Sequence, residues 1–476
     1  MSASIVSSVA GHLQVYDAEA KDPLALFGSG FMGVDDIGEM PDFARVQAAL
    51  EALDNVKAVV PMGIGLATTA AANEIDEVLA SLRTAVREGN DDAVRADVGR
   101  VRMIASELAK EVRNQARVTA DQEANAEAQV ALARVMTDTF WDGLATDPEA
   151  TLQFLDTRIA PLVADGRVYY LGFIGTDMVR FPEHFDRFKV LAGEVVPAGQ
   201  RGLLLSSRFY EKRLKHKVAR DLDLLVYKRS QGATIAEDGV LKAVASGLPG
   251  QYQQVTLKLS PRDAEAAEEA LRGKFPNVEG GLAELVQALL TVDDSNVEAR
   301  TEIFYGVFEE RMALYPMAVG DTITLRSYTR SGYIKNVNVK LWGIYQFDGL
   351  ETSDIAGARN LVDMVTFREL RGQMTATRRA ELDTIRAEVG LDSVASEDAE
   401  DALFGDAVAV EDTTADVGFD EFEAVDLSGQ VDRLKAEAMA GFDQADISKG
   451  LALNAAVILE DPALIEVTAD EIRALS

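Results

Sequence analysis

Gly28, Gly30 and Gly33 stand at the spacing G-x-G-x-x-G, the pattern with which a strand-to-helix turn lets backbone N–H groups approach a dinucleotide pyrophosphate. That chemistry needs a strand ending just before the first glycine and a helix opening inside the motif. Residues 18–27 carry no strand pattern, and residues 34–38 (VDDIG) make a poor helix start. The motif therefore reads as an ordinary glycine loop, with a cofactor cradle as the alternative. No Walker A sequence, no G-x-S-x-G and no H-E-x-x-H occurs. The three histidines, His12, His184 and His216, are far apart with no ligand spacing. Carboxylates are too abundant for any one pair to be singled out, and the absence of cysteine excludes disulfides, zinc thiolates and thiol nucleophiles.

One basic cluster stands out: Lys212, Arg213, Lys215, His216, Lys217 and Arg220. It reads as a docking patch for an acidic partner or a lipid headgroup, or as internal neutralisation of an acidic protein. The chain has 47 Lys and Arg against 79 Asp and Glu, a net charge of −32. Such a surface repels phosphate backbones and anionic bilayers, which argues against a nucleic-acid partner.

These residues need elements to hold them. Residues 13–16 (LQVY) and 56–68 read as strands. Between them Phe43, Val46, Leu50 and Leu53 recur at helical spacing. Four helices are expected over 73–163, with Gly89 as a C-terminal cap and Asp147-Pro148 as a start signal. A helix of about 25 residues spans about 37 Å, so this block reads either as a long arm or as a plain helical subdomain. Strand character returns at 168–174 and 202–205. Residues 251–259 alternate, with Val255, Leu257 and Leu259 on one face, and predict a strand. Residues 321–347 predict a hairpin: Ile323 and Leu325 on one arm and Val337, Val339 and Leu341 on the other, turning at 330–332. From 387 to 432 there is no Lys or Arg while acids recur, so disorder is expected there. A short helix is expected at 435–442, a strand at 454–459, and a last helix opening at Asp461-Pro462. No run of about 20 apolar residues occurs; 59–72 comes nearest and is rich in Gly, Ala and Thr. The early strand and the final strand-plus-helix pattern lead us to expect a segment lifted from a larger protein.

Several segments fall in a recognisable order: 11–16 (GHLQVY), 56–61 (VKAVVP), 170–175 (YLGFIG), 191–193 (LAG), 202–205 (GLLL), 320–325 (GDTITL), 341–345 (LWGIY), 358–363 (ARNLVD) and 454–462 (NAAVILEDP). Together they cover less than half the chain, and in that order they resemble the extracytoplasmic domain of MacB/LolE/FtsX-type ABC transporter permeases. The resemblance implies an α+β fold with a discontinuous porter-like α/β subdomain near the membrane (1–72, 164–180 and 431–476). A β-rich distal subdomain (181–225 and 316–375) is inserted in it. Beyond the family pattern are a helical insertion at 73–163, a mixed helical insertion with one β-strand at 226–315, and an acidic, largely disordered segment at 376–430. Gly172, Gly193, Gly320, Asp321 and Gly343 are expected to specify turns and bulges. Lys212, Arg213, Lys215, Lys217 and Arg220 remain the candidate docking patch.

The function implied is non-enzymatic. The domain couples ATP hydrolysis by a cytoplasmic ATP-binding subunit to movement or release of lipoprotein, lipid or an amphipathic compound, on the periplasmic face of a bacterial inner membrane. Expected partners are that ATP-binding subunit, a second permease copy, and a periplasmic adaptor or lipoprotein carrier; the membrane helices lie outside this chain. No catalytic residue, cofactor or metal is implied. The alternatives are an envelope scaffold that binds a periplasmic partner, and a soluble nucleotide-cofactor enzyme using the glycines at 28–33.

Overall fold

β1 (Leu13–Tyr16) and β9 (Asn454–Leu459) pair antiparallel, Leu13 opposite Val457 and Tyr16 opposite Asn454, so the first and last strands are neighbours. The computed structural model describes residues 11–20, 38–70, 74–115, 122–162, 168–329, 333–351, 353, 357–373, 438–439 and 441–475. Its secondary structure is mixed α and β, built as two units.

The first unit, residues 1–69, 170–209 and 318–476, is organised around one mixed nine-stranded sheet. After β1 come β2 (Val56–Ala70), β3 (Val168–Thr176), β4 (Phe188–Gly193), β5 (Leu203–Ser206), β6 (Thr322–Tyr328), β7 (Ile334–Phe347) and β8 (Asn360–Asp363). The spatial order is β1-β9-β2-β3-β8-β5-β7-β4, with β6 bonded to β7 and, at Thr68, to β2. All six residues of β9 and all four of β5 and β8 are buried, as strands covered on both faces must be. The two strand sets expected in separate porter-like and distal β subdomains thus run through a single sheet. The sets join at β8, parallel to β3 through Phe173–Asn360 and antiparallel to β5 through Leu203–Val362, and at the single Thr68–Arg326 pair between β2 and β6. Splitting the two sets would break both contacts and leave β3 and β8 as new unpaired edges.

The hairpin forms in the expected register, Ile323 opposite Val339 and Leu325 opposite Val337, all four buried. Its turn at 330–332 lies outside the described residues. Asn338, expected on the solvent side, is buried and accepts a hydrogen bond from Thr324 Oγ1 at 2.7 Å, because beyond Val337 strand β7 is covered on both faces. The Phe43–Glu51 helix is capped by Asp42, whose carboxylate accepts from Arg45 N. Asp461 likewise caps the turn Pro462–Leu464 that leads into the Ile465–Arg473 helix.

The second unit, residues 70–169 and 210–317, is helical and holds two separate hydrophobic cores. In 73–163 the helices Glu74–Glu88, Asp91–Gln115 and Gln122–Val135 fold back on one another around Leu79, Leu82, Val101, Leu132 and Ile159. That is a packed subdomain and not an isolated arm. Gly89 sits at φ +65°, with its own N–H and that of Asn90 closing on the carbonyls of Val86 and Ala85. Asp147 caps the Pro148–Phe154 helix by accepting from Ala150 N at 3.1 Å.

The second core gathers Leu222, Leu271, Leu285, Phe304 and Phe308. The strand expected at 251–259 is a correction: Pro249–Gln251 is a 3-10 turn and Tyr252–Thr256 a helix. Val255 and Leu259, four apart, are the buried residues. Over so short a run an alternating pattern also contains an i,i+4 pair, and packing chooses between them. The mixed insertion at 226–315 therefore contains no strand.

Candidate functional site: a groove beside the first strand

Val46, Ala49 and Leu50 stand on the Phe43–Glu51 helix at the spacing that lines one face, and Ala469 and Ile472 do the same on the Ile465–Arg473 helix. Between these helices and β1 lies a groove of about 480 Å³. Leu13, Gln14, Val15 and Tyr16 line it along β1, and Leu475 closes it beyond the last helix. The lining is mainly apolar. Two guanidinium-bearing residues reach it, Arg45 and Arg473; Arg473 pairs with Asp470 at 2.5 Å, while Arg45 makes no ion pair among the described residues. Gln14 Oε1 accepts a hydrogen bond from Asn454 Nδ2, which ties β1 to β9 beneath the groove.

Away from the groove, the sheet unit carries two buried polar locks. Asp363 accepts from Gly202 N (2.9 Å), Thr366 N (2.8 Å) and Thr366 Oγ1 (2.6 Å). Burial pushes its carboxyl up; the hydrogen bonds from Thr366 and Gly202 oppose this. Arg368 is buried and donates to three backbone carbonyls, Leu451 (2.8 Å), Asp446 (2.6 Å) and Ile447 (2.8 Å), fastening the segment that leads into β9. Burial lowers its guanidinium to about 10. Neither lines the groove, and both hold neighbouring backbone in place.

The predicted turn residues have clear geometry. Gly343 faces Gly193 across β4 and β7; a Cβ there would lie 2.8 Å from the carbonyl oxygens of both Ala192 and Glu194. Gly193 has φ +75°, and its Cβ would come within 2.1 Å of Trp342 O. At Gly320 (φ +103°) the N–H donates to Leu341 O, and Asp321 Oδ2 accepts from Ala318 N, closing the turn before β6. At Gly172 a Cβ would crowd the Arg359 guanidinium at 2.7 Å.

The basic cluster is largely neutralised within its own unit. Lys215 Nζ meets Asp223 at 2.7 Å and Glu211 at 3.0 Å, and Lys217 meets Asp221 at 2.6 Å. Arg220 donates to Lys212 O, while Lys212 and Arg213 point outward. Burial alone would lower Lys215, but the hydrogen bonds to Asp223 and Glu211 outweigh it and raise the ammonium above its usual range. Tyr305 and Tyr315 donate to the same two acids at 2.7 Å, and Tyr315 stacks on Tyr210 with centroids 4.1 Å apart.

The histidines are dispersed in three roles. His12 Nδ1 accepts from Leu459 N, His184 ends a short helix, and His216 Nε2 lies 3.0 Å from Gln254 O. Burial lowers both His12 and His184. Among the described residues no cluster of three His or acid side chains could hold a metal ion. The glycines at 28–33, the acidic segment and residues 435–437 and 440 of the expected 435–442 helix lie outside the described residues; of its described residues only Ala438 is helical. Among those described, no helix is long and apolar enough to cross a membrane.

Sequence reasoning marked Val46 and Leu50 as a helical stripe but could not see that the last helix faces them. Arg45 and Arg368 carried no signal, since neither sits in a motif. No family model matches this chain, and no curated protein or solved structure does so either.

Proposed function

We propose that the first unit is the extracytoplasmic part of a MacB/LolE/FtsX-type permease, a non-enzymatic module moved by a separate ATP-binding subunit. The observation that carries this reading is the shared groove: Leu13 on β1 and Leu475 after the last helix line the same surface. A domain attached through both of these elements to one bilayer needs that proximity. The segments that resemble the family supply strands to one continuous sheet, which suits a stiff lever passing motion from membrane helices to a distal end. Cargo of the lipoprotein, lipid or amphipathic class, and a position on the periplasmic face of a bacterial inner membrane, follow from that reading.

The test is co-purification of the native protein from detergent-solubilised membranes of its host. Recovery with an ATP-binding subunit supports the permease. Recovery only in the aqueous fraction, or micromolar binding of NAD or FAD, would overturn it.

A second reading, an envelope scaffold, is favoured by the helical unit, whose two cores make it a substantial body of its own. Pull-downs with residues 71–167 deleted separate the two: an unchanged set of partners argues against the scaffold.

A further inference from the structure

The two margins of the sheet are built differently. On β4 the chain places Lys189, paired with Asp348 at 2.5 Å, a register break between Val190 and Ala192, and Gly193 at positive φ. These devices keep an edge from pairing with another strand. β1 has none of them: LQVY is uncharged, and its four residues pair with β9 in unbroken register. No described strand lies on its other side. Alongside runs the 480 Å³ groove, with Val46 and Ala49 on one wall and Ile472 on the other.

An edge strand beside an apolar groove is the arrangement in which an extended peptide adds as a further strand, main chain to the edge and alternate side chains into the groove. Charge narrows the choice. In a chain of net charge −32 a basic peptide would be favoured almost anywhere on the surface, yet the groove presents Arg45, free of an acid partner among the described residues, and Arg473.

We propose that β1 and this groove bind an extended segment of a partner protein, with apolar residues at alternate positions and one carboxylate held at Arg45. This goes beyond the transport reading and does not depend on it. In the permease it would be a docking point for a periplasmic adaptor; in a scaffold it would be the partner site itself.

The experiment uses the full chain and the amidated peptide acetyl-SVTVSIE as probe, read by calorimetry and by amide hydrogen exchange. The peptide is expected to bind and slow exchange in β1. N-methylation at alternate residues should weaken it about tenfold or more by removing the main-chain bonds, and so should Glu→Lys in the peptide. Ala49→Trp, which fills the groove, should abolish binding, and Arg45→Glu should weaken it about tenfold. Both positions are exposed on a helix, so unchanged melting temperatures separate lost binding from lost folding. Equal affinity for the N-methylated or lysine peptide, or no binding at all, would overturn the proposal. So would protection, in the free chain, of those β1 amides that do not bond β9, which would mean its own residues cover the edge. A concentration-dependent dimer blocked by Ala49→Trp would make a second copy the occupant and overturn it equally.

Discussion

Gly343 has backbone oxygens on two sides, and backbone cannot step away as a flexible side chain can. Gly343→Val should destabilise the sheet unit by about 3 kcal/mol, measured by urea unfolding; an unchanged midpoint would contradict the close approach seen between β4 and β7. Arg368→Leu is nearly as large but orphans three carbonyls, and should cost at least about 3 kcal/mol, with faster hydrogen exchange over 441–453. For His12 the sign follows from burial, which sets its folded pKa below the ordinary 6.5. The unfolded chain then binds the proton more tightly, so this contribution is present above pH 6.5 and is lost as pH falls through the folded value. His12→Gln should therefore flatten the fall in melting temperature between pH 7 and 5 relative to the parent. At this scale the sequence was legible where a residue type has few uses. Gly343 inside a strand pattern was legible as a turn or bulge position, and the structure shows it as a close crossing of backbone. Arg368 did not, because the same residue type serves equally well on a surface.

At the scale of elements, reading succeeded where the pattern was long or capped. The hairpin arms alternate over enough residues to fix their register, and Asp147-Pro148 and Gly89 mark helix ends by hydrogen-bonding chemistry that needs no neighbour. It failed at 251–259, where Val255 and Leu259 satisfy both periods and the core around Leu285 and Phe304 settled the matter as helix. The sheet also explains how a helical block can be accommodated between two strands. Followed from β2 through β6, β7, β5 and β8 to β3, the pairings make neighbouring β2 and β3 antiparallel, so the end of one lies beside the start of the other. Replacing residues 71–167 with a four-residue Asn-Gly turn should leave the exchange protection of β7 and β9 intact. Collapse of that protection would show that the sheet needs the block to fold.

At the scale of the molecule, the net charge of −32 sets a condition on stability. Self-repulsion among acids is screened within about 10 Å at 0.1 M salt. Melting temperature should therefore rise by roughly several degrees between about 0.02 and 0.5 M sodium chloride as this repulsion is screened. A fall over that range would mean that pairs such as Lys189–Asp348 and Arg229–Asp294 matter more than the excess charge.

The amino-acid sequence alone determined the mixed α and β character, the hairpin, a few capped helix ends and the exclusion of thiol chemistry, because periodicity, capping and the absence of a residue type are local facts. Tertiary structure alone decided that β8 welds two strand sets into one sheet, that Arg368 clamps the approach to β9, and that the first strand and last helix enclose a groove. Those are matters of which distant edge or face remains to be covered once each element has formed. That Leu13 and Leu475 line one groove depends on the whole sheet laid down between them.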